Sequence, residues 1–204
     1  MNHFVPVRSQ HALSSTPQTS LISSTNDNSA LTDLCETYGA EPVKLRRTRE
    51  GRELSRVRYR RAEEFMTFLV PEVPRDWPDF LYSVGIVAQL GLSSHLLDVG
   101  FPDDWCARHV GLHVDRSLAY ANVTGFGCEC AETTRLTQIL APYWKWNRRH
   151  LTDGVYPDSG FTADQVRALV RALMDHVCHV TGHRHRPIMK SRQSSSARCA
   201  FEGT

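Results

Sequence analysis

Apolar residues recur every three or four positions in two long stretches of the chain, the spacing that places them on one face of an α-helix. The first stretch, residues 50–70, ends at Pro71, which cannot continue a helix. In the second, a Thr-x-x-Gln capping box at residues 162–165 precedes the apolar face, and Gly182 closes it. The apolar positions are Leu54, Val57, Phe65, Met66 and Leu69 in the first stretch, and Val166, Leu169, Val170, Leu173, Val177 and Val180 in the second.

Shorter apolar patterns predict additional helices between and before these two. The predicted segments are residues 30–38 with Gly39 at the end, a helix from Trp77 to Gly91, a short helix or turn at 93–101, a helix beginning at Asp103, and residues 130–140. No stretch shows a convincing strand pattern. We therefore expect an all-α protein, an irregular bundle of five or six helices.

The ends of the chain differ in composition from its middle. Residues 1–29 are rich in Ser and Thr and show no apolar periodicity, and residues 187–204 contain a proline, a serine triplet and scattered charge. Segments of this kind bury too little apolar surface to offset the entropy lost on ordering. We expect two disordered tails around one helical domain at residues 30–186, a length that can form a core of its own.

Targeting signals and cysteine usage favour a cytoplasmic protein. The sequence contains no run of 18 apolar residues, and its N-terminus lacks the apolar region of a secretory signal. Its six cysteines are widely spread, without a CxxC pair, so we expect reduced thiols rather than disulfides. The sequence gives no indication of oligomeric state.

Charge is concentrated in one segment, residues 44–61. This segment has nine basic residues against two acidic ones, a net charge of +7 in a chain whose total is +2. Such a concentration creates a field that a polyanion can sense, although a solvated helix face is the plainer interpretation. The candidate phosphate-contacting residues are Arg46, Arg47, Arg49, Arg52, Arg56 and Arg60.

A second candidate for nucleic-acid contact is the sequence PYWKWNRRH at residues 142–150, which mixes aromatic and basic residues. Aromatic rings can stack on bases while cations neutralise the backbone, and Lys145, Arg148 and Arg149 would supply the charge. The same pattern fits a helix end whose Trp side chains fill the core.

A cluster of Cys and His residues near position 110 raises the alternative of a metal site. On one helix, Cys106, His109 and His113 would share a flank, but they span too great a length to bind one ion alone. Cys128 and Cys130 could complete a composite site, and zinc is the metal that such donors favour. The competing interpretation is an ordinary core helix with partly buried histidines.

The same region resembles the turn of a bacterial helix-turn-helix, through Ala107, Gly111 and the following Leu112. The resemblance covers about twenty residues and implies a supporting helix at 103–110 and a DNA-reading helix at 113–122.

This sequence departs from the helix-turn-helix pattern at one inward position, where the family has an apolar residue and this chain has Ser117, with Leu118 one position late. The alternative is one continuous helix with Gly111 inside it.

The chain lacks the GxSxG, GxxxxGK, HExxH and EF-hand signatures of common enzyme and calcium sites. The sequence therefore favours a non-enzymatic binding or accessory protein that engages nucleic acid or a nucleoprotein partner through residues 44–61. A helical metal-binding protein and a protein–protein interaction module remain the alternatives.

Overall fold

The computed structural model describes residues 26–69, 76–147 and 160–184, and within these ranges every regular element is helical. The prediction of an all-α fold is confirmed, with seven α-helices rather than five or six. They are α1 (Asn26–Thr37), α2 (Arg49–Met66), α3 (Trp77–Val99), α4 (Asp103–His109), α5 (Val114–Val123), α6 (Ala131–Leu140) and α7 (Ala163–Thr181), with 3-10 turns at Thr67–Leu69 and Tyr143–Asn147. Of the predicted tails at residues 1–29 and 187–204, residues 1–25 and the whole C-terminal tail lie outside the described residues.

Helix α3 is the centre of the bundle and packs against α2, α5, α6 and α7. Its core positions are inaccessible to solvent because neighbours cover it on several sides; examples are Leu81, Val84, Val87 and Leu92. In the part of the chain described, α3 alone is long and apolar enough to cross a membrane, and 72% of its apolar stretch is buried inside the molecule. A soluble core helix has the same features.

The prediction that a helix ends at Gly91, with a separate short element at 93–101, is wrong. Helix α3 continues through both to Val99 and ends at Gly100. Gly91 instead allows α7 to approach, since a Cβ atom there would lie 2.7 Å from Sδ of Met174. This glycine makes room for a neighbouring helix and does not end its own.

Two further boundaries differ from the predicted ones. Helix α1 begins at Asn26, whereas the sequence predicted a helix from residue 30. Gly111, with φ of +57°, separates α4 from α5. The chain therefore bends there, which accounts for a larger helix count than predicted.

The capping box of α7 is confirmed. The Gln165 backbone N–H donates to Oγ1 of Thr162 over 3.3 Å, and the Thr162 N–H donates to Oε1 of Gln165 over 2.8 Å. These bonds satisfy amides that would otherwise lack partners at the helix start.

Thr162→Ala is expected to lower the free energy of unfolding by about 1 kcal/mol, because the N-cap acceptor is lost. Urea unfolding followed by circular dichroism measures the change. Thr162→Ser keeps the hydroxyl and serves as the control; if it destabilised the protein as much as alanine does, the cap would not be the cause.

Candidate nucleic-acid interface

The basic segment consists of an extended part before Thr48 and the first three turns of α2. The side chain of Thr48 accepts a hydrogen bond from the Gly51 N–H over 3.0 Å and so begins the helix. Arg46 and Arg47 precede α2 and do not take part in its helical spacing. Along α2, four arginines share one side within an arc of roughly 80°, and all are exposed. This surface, the arginine flank, comprises Arg49, Arg52, Arg56 and Arg60.

Part of the positive charge is paired within the protein. Asp98 of α3, whose side chain is only 5% exposed, lies 3.3 Å from Nε of Arg52 and 3.8 Å from Nη2 of Arg47. Arg49 pairs with Glu53 one turn along α2 at 3.0 Å. Asp98 therefore holds Arg52 and the preceding Arg47 against α3, whereas the Arg49–Glu53 pair lies within α2.

The C-terminal half of the flank is different. Within the described ranges, Arg56 and Arg60 have no carboxylate oxygen within the 4 Å of an ion pair, although Glu63 lies on the same side of α2. Together with Arg184, which follows α7, they line a hollow of about 270 Å³. Three arginines from two parts of the chain thus line one concave surface.

A buried polar network brings Arg184 to this position. Nε2 of His183 lies 2.7 Å from Oγ of Ser55 on α2, and that hydroxyl also donates to the Ser94 carbonyl of α3 over 2.7 Å. The His183 ring stacks beside Tyr59 with centroids 5.4 Å apart. The end of α7 is therefore fastened to the middle of α2.

Burial favours the uncharged form of His183. It is the main cause of a lowered pKa; Asp98 opposes the shift, and the positive charges of Arg56, Arg52 and Arg60 lower the pKa further by smaller amounts. Ser55 is fully buried, so the Ser55–His183 contact joins helices and does not present a nucleophile to solvent.

Lys145, the basic residue of the second predicted cluster that the structure describes, is half-buried and makes its contacts within the protein. Nζ of Lys145 donates to the Ala141 carbonyl over 2.8 Å and lies 5.4 Å from the centroid of the Trp146 ring. Burial lowers the pKa of Lys145, against the opposing effect of Asp115. Trp146 itself is buried in the core, in line with the structural interpretation of this sequence. Arg148 and Arg149 lie outside the described residues.

The predicted metal ligands each make separate contacts within the protein and do not share a site. Cys106 is buried in α4, and burial, together with Asp103, raises the pKa of its thiol to about 12, which disfavours the thiolate that binds metals. The His109 ring packs at a tilt against the Trp105 ring with centroids 4.9 Å apart, and His113 lies at the start of α5.

The other two predicted ligands lie in the connection before α6. The Cys128 N–H donates to Oδ1 of Asn122 over 2.9 Å, and Sγ of Cys130 donates to Glu132 over 3.3 Å. Among all described residues, no three His, Cys, Asp or Glu side chains gather where they could hold a metal ion. The structure does not assemble the composite zinc site.

The bend at Gly111 leaves two helices in the order of a helix-turn-helix, but α5 is enclosed. It packs against α1, α3 and α6, and none of its residues is exposed. Both Ser117 and Leu118 point inward, and Oγ of Ser117 donates to Oε1 of Gln89 over 3.2 Å. Arg116 lies over the Tyr38 ring of α1. This placement does not favour α5 as a base-reading helix.

Sequence reasoning missed Asp98, His183 and Arg184. Asp98 sits in an apolar stretch of α3, and the pair of residues after Gly182 is far from α2 along the chain. No local pattern connects them with the basic segment, since only the packing of α7 and α3 against α2 brings them there. No protein family, curated protein or solved structure matches this chain.

Proposed function

We propose that this protein is a non-enzymatic nucleic-acid-binding protein that contacts the phosphate backbone through the arginine flank. The observation that carries the proposal is the convergence of Arg56, Arg60 and Arg184 around one hollow, without a carboxylate paired to any of them in the described part of the chain. Exposed guanidinium groups bind phosphate oxygens in pairs of parallel hydrogen bonds.

The geometry favours contact with the backbone rather than base reading. From Arg49 to Arg60 the flank extends roughly 16 Å along α2, enough to reach several phosphates of one strand. It lies on a helix face, not at a protruding helix end, and the enclosed α5 offers no element to enter a groove. Contacts of this kind fix position and supply affinity but carry little sequence information.

The proposal predicts a steep dependence of binding on salt. Binding of duplex DNA should weaken strongly between low and moderate salt because counterions are released. The double variant Arg56→Gln, Arg60→Gln should lose roughly tenfold or more in affinity and reduce the slope of log K against log salt by about 1.8, or 0.9 for each phosphate contact. Fluorescence anisotropy with a labelled duplex measures both quantities.

Arg61→Gln is the matched control, since it removes the same charge from the same helix on a different side. It should change the salt slope much less than either flank substitution. Absence of measurable binding to duplex DNA and to single-stranded RNA at low salt would overturn the proposal, as would equal effects of the Arg60 and Arg61 substitutions.

A further inference from the structure

The opposite side of α2 forms one wall of a separate groove. The groove has a volume of about 550 Å³, within the range of small-molecule sites. Its walls come from α2, α3, the α4–α5 bend and the 3-10 turn at Tyr143–Asn147. None of the residues that line the hollow on the arginine flank lines this groove.

Apolar side chains from α2, α3 and the α4–α5 bend line part of the groove. Ile86 and Leu90 of α3 and Phe65 of α2 line it, and Leu112, 42% exposed, stands at its edge. An exposed Leu beside partly buried apolar residues offers surface that a ligand could remove from water.

Aromatic rings and hydroxyl groups add to this surface. The rings of Tyr82 and Tyr143 lie 5.7 Å apart and both line the groove. Tyr143 packs so closely on α3 that a Cβ atom added at Gly85 would clash with the Cβ atom of Tyr143. The 3-10 turn is thereby fixed on α3, so this wall of the groove is preformed.

Polar side chains also line the groove, and those of Arg58 and Gln89 already form hydrogen bonds within the protein. Nη2 of Arg58 lies 2.8 Å from Oδ1 of Asp103, and Nη1 donates to Oγ of Ser93 over 3.4 Å. Nε2 of Gln89 donates to the Gly111 carbonyl over 3.0 Å, which ties α3 to the bend. These groups shape the groove, but their hydrogen bonds are made within the protein.

Among the charged residues that line the groove, Arg61 differs from Arg58 and Asp103, which form an ion pair with each other. Its guanidinium lies 5.9 Å from the centroid of the Phe65 ring, and no carboxylate oxygen of the described residues is within 4 Å of it. Since Asp103 offsets Arg58, the charge of Arg61 is the one left to a ligand. The groove therefore combines an apolar surface with one cation that has no carboxylate partner among the described residues.

We propose that this groove binds a small organic carboxylate, with its apolar body on Phe65, Ile86 and Leu90 and its carboxylate at Arg61. The ligand is held without covalent chemistry: Cys106 lines the groove, but burial keeps its thiol protonated. Volume and charge both favour a monoanion with a short aliphatic or aromatic body over a polyanion. The inference does not depend on the function proposed above, because the two surfaces lie on different sides of α2.

Octanoate and its neutral counterpart octanol are suitable probes for isothermal titration calorimetry on the full chain. Octanoate should bind more tightly than octanol, and Arg61→Gln should remove roughly a threefold to tenfold preference, the effect of one exposed charge-assisted contact. Ala107→Trp, at an exposed position that lines the groove, should weaken the binding of both probes by filling their space.

Arg60→Gln is the control, since Arg60 is next to Arg61 in sequence but lines the other hollow. It should leave octanoate binding unchanged while weakening the binding of duplex DNA, so failure of one proposal is distinguishable from failure of the other. No heat of octanoate binding, or equal octanoate affinity in the unmodified protein and Arg61→Gln, would overturn the assignment. Because Arg61 is exposed, that comparison decides the matter even if Ala107→Trp does not fold.

Discussion

Gly100→Ala is expected to lower the free energy of unfolding by about 3–5 kcal/mol, through backbone strain and a clash that cannot relax. Gly100 ends α3 with φ of +112°, a conformation that L side chains rarely adopt. A Cβ atom there would lie 2.6 Å from the carbonyl carbon of Arg46 and 2.8 Å from the backbone nitrogen of Arg47. Relief would require moving a backbone segment, and the hydrogen bond from the Arg46 N–H to the Gly100 carbonyl, 3.1 Å, would be lost or distorted.

The control is Gly125→Ala. Gly125 also has positive φ, +89°, but nothing lies within 4 Å of an added Cβ atom. It should therefore show the conformational strain alone, about 1–2 kcal/mol. Urea unfolding of the two variants and the unmodified protein measures the difference, and equal destabilisation by both substitutions would show that the contact with residues 46 and 47 contributes nothing.

Acidification from pH 7 to pH 4 is expected to destabilise the protein by about 3 kcal/mol through His95 alone. His95 of α3 is 3% exposed and lies against Phe126, with ring centroids 5.0 Å apart. Burial lowers its pKa to about 4, while Asp98 acts in the opposite direction. The unfolded chain binds a proton near pH 6.5 and the folded protein only near pH 4, so stability is lost as the pH falls between these values.

His183, whose pKa burial also lowers, contributes in the same direction. His95→Leu removes one titrating group from the core, so the difference in unfolding free energy between pH 7 and pH 4 should shrink by about 3 kcal/mol. Urea unfolding at several pH values measures it. His179→Gln, at an exposed position of α7, should leave the pH dependence unaltered. An identical pH profile for His95→Leu and the unmodified protein would rule out this role.

Local patterns were enough to predict the helices that are amphipathic and well capped. Helix α7 has a capping box, one apolar face and a terminal glycine, and the structure matches each. Helix α3 could not be delimited in this way, because it is covered on several sides and its glycines serve close packing. In the sequence, a glycine that makes room for a neighbouring side chain cannot be distinguished from one that ends a helix, because the neighbouring element is not known.

The candidate sites too have local features that the sequence predicts and tertiary features that it does not. The exposure of the arginines on α2 follows from their helical spacing, so the basic surface was predictable in outline. Its shape was not, since Arg184 and Asp98 reach it through tertiary packing. The groove beside Arg61 is built from residues 58 to 143 and has no sequence signature. The Cys and His cluster does not form a metal site among the described residues, since no three of its side chains gather in one place.

Asp98 pairs with Arg52 of the arginine flank, and also with Arg47 just before it, so the two halves of the flank differ in conformational entropy. The anchored half has already given up part of its rotamer freedom on folding, whereas Arg56 and Arg60 must give up theirs when a phosphate is bound, at up to about 2 kcal/mol for each side chain. For the phosphate contacts proposed above, the entropic penalty would therefore fall mainly on Arg56, Arg60 and the segment that carries Arg184. Arg52 would add less to this penalty, since Asp98 already holds its side chain.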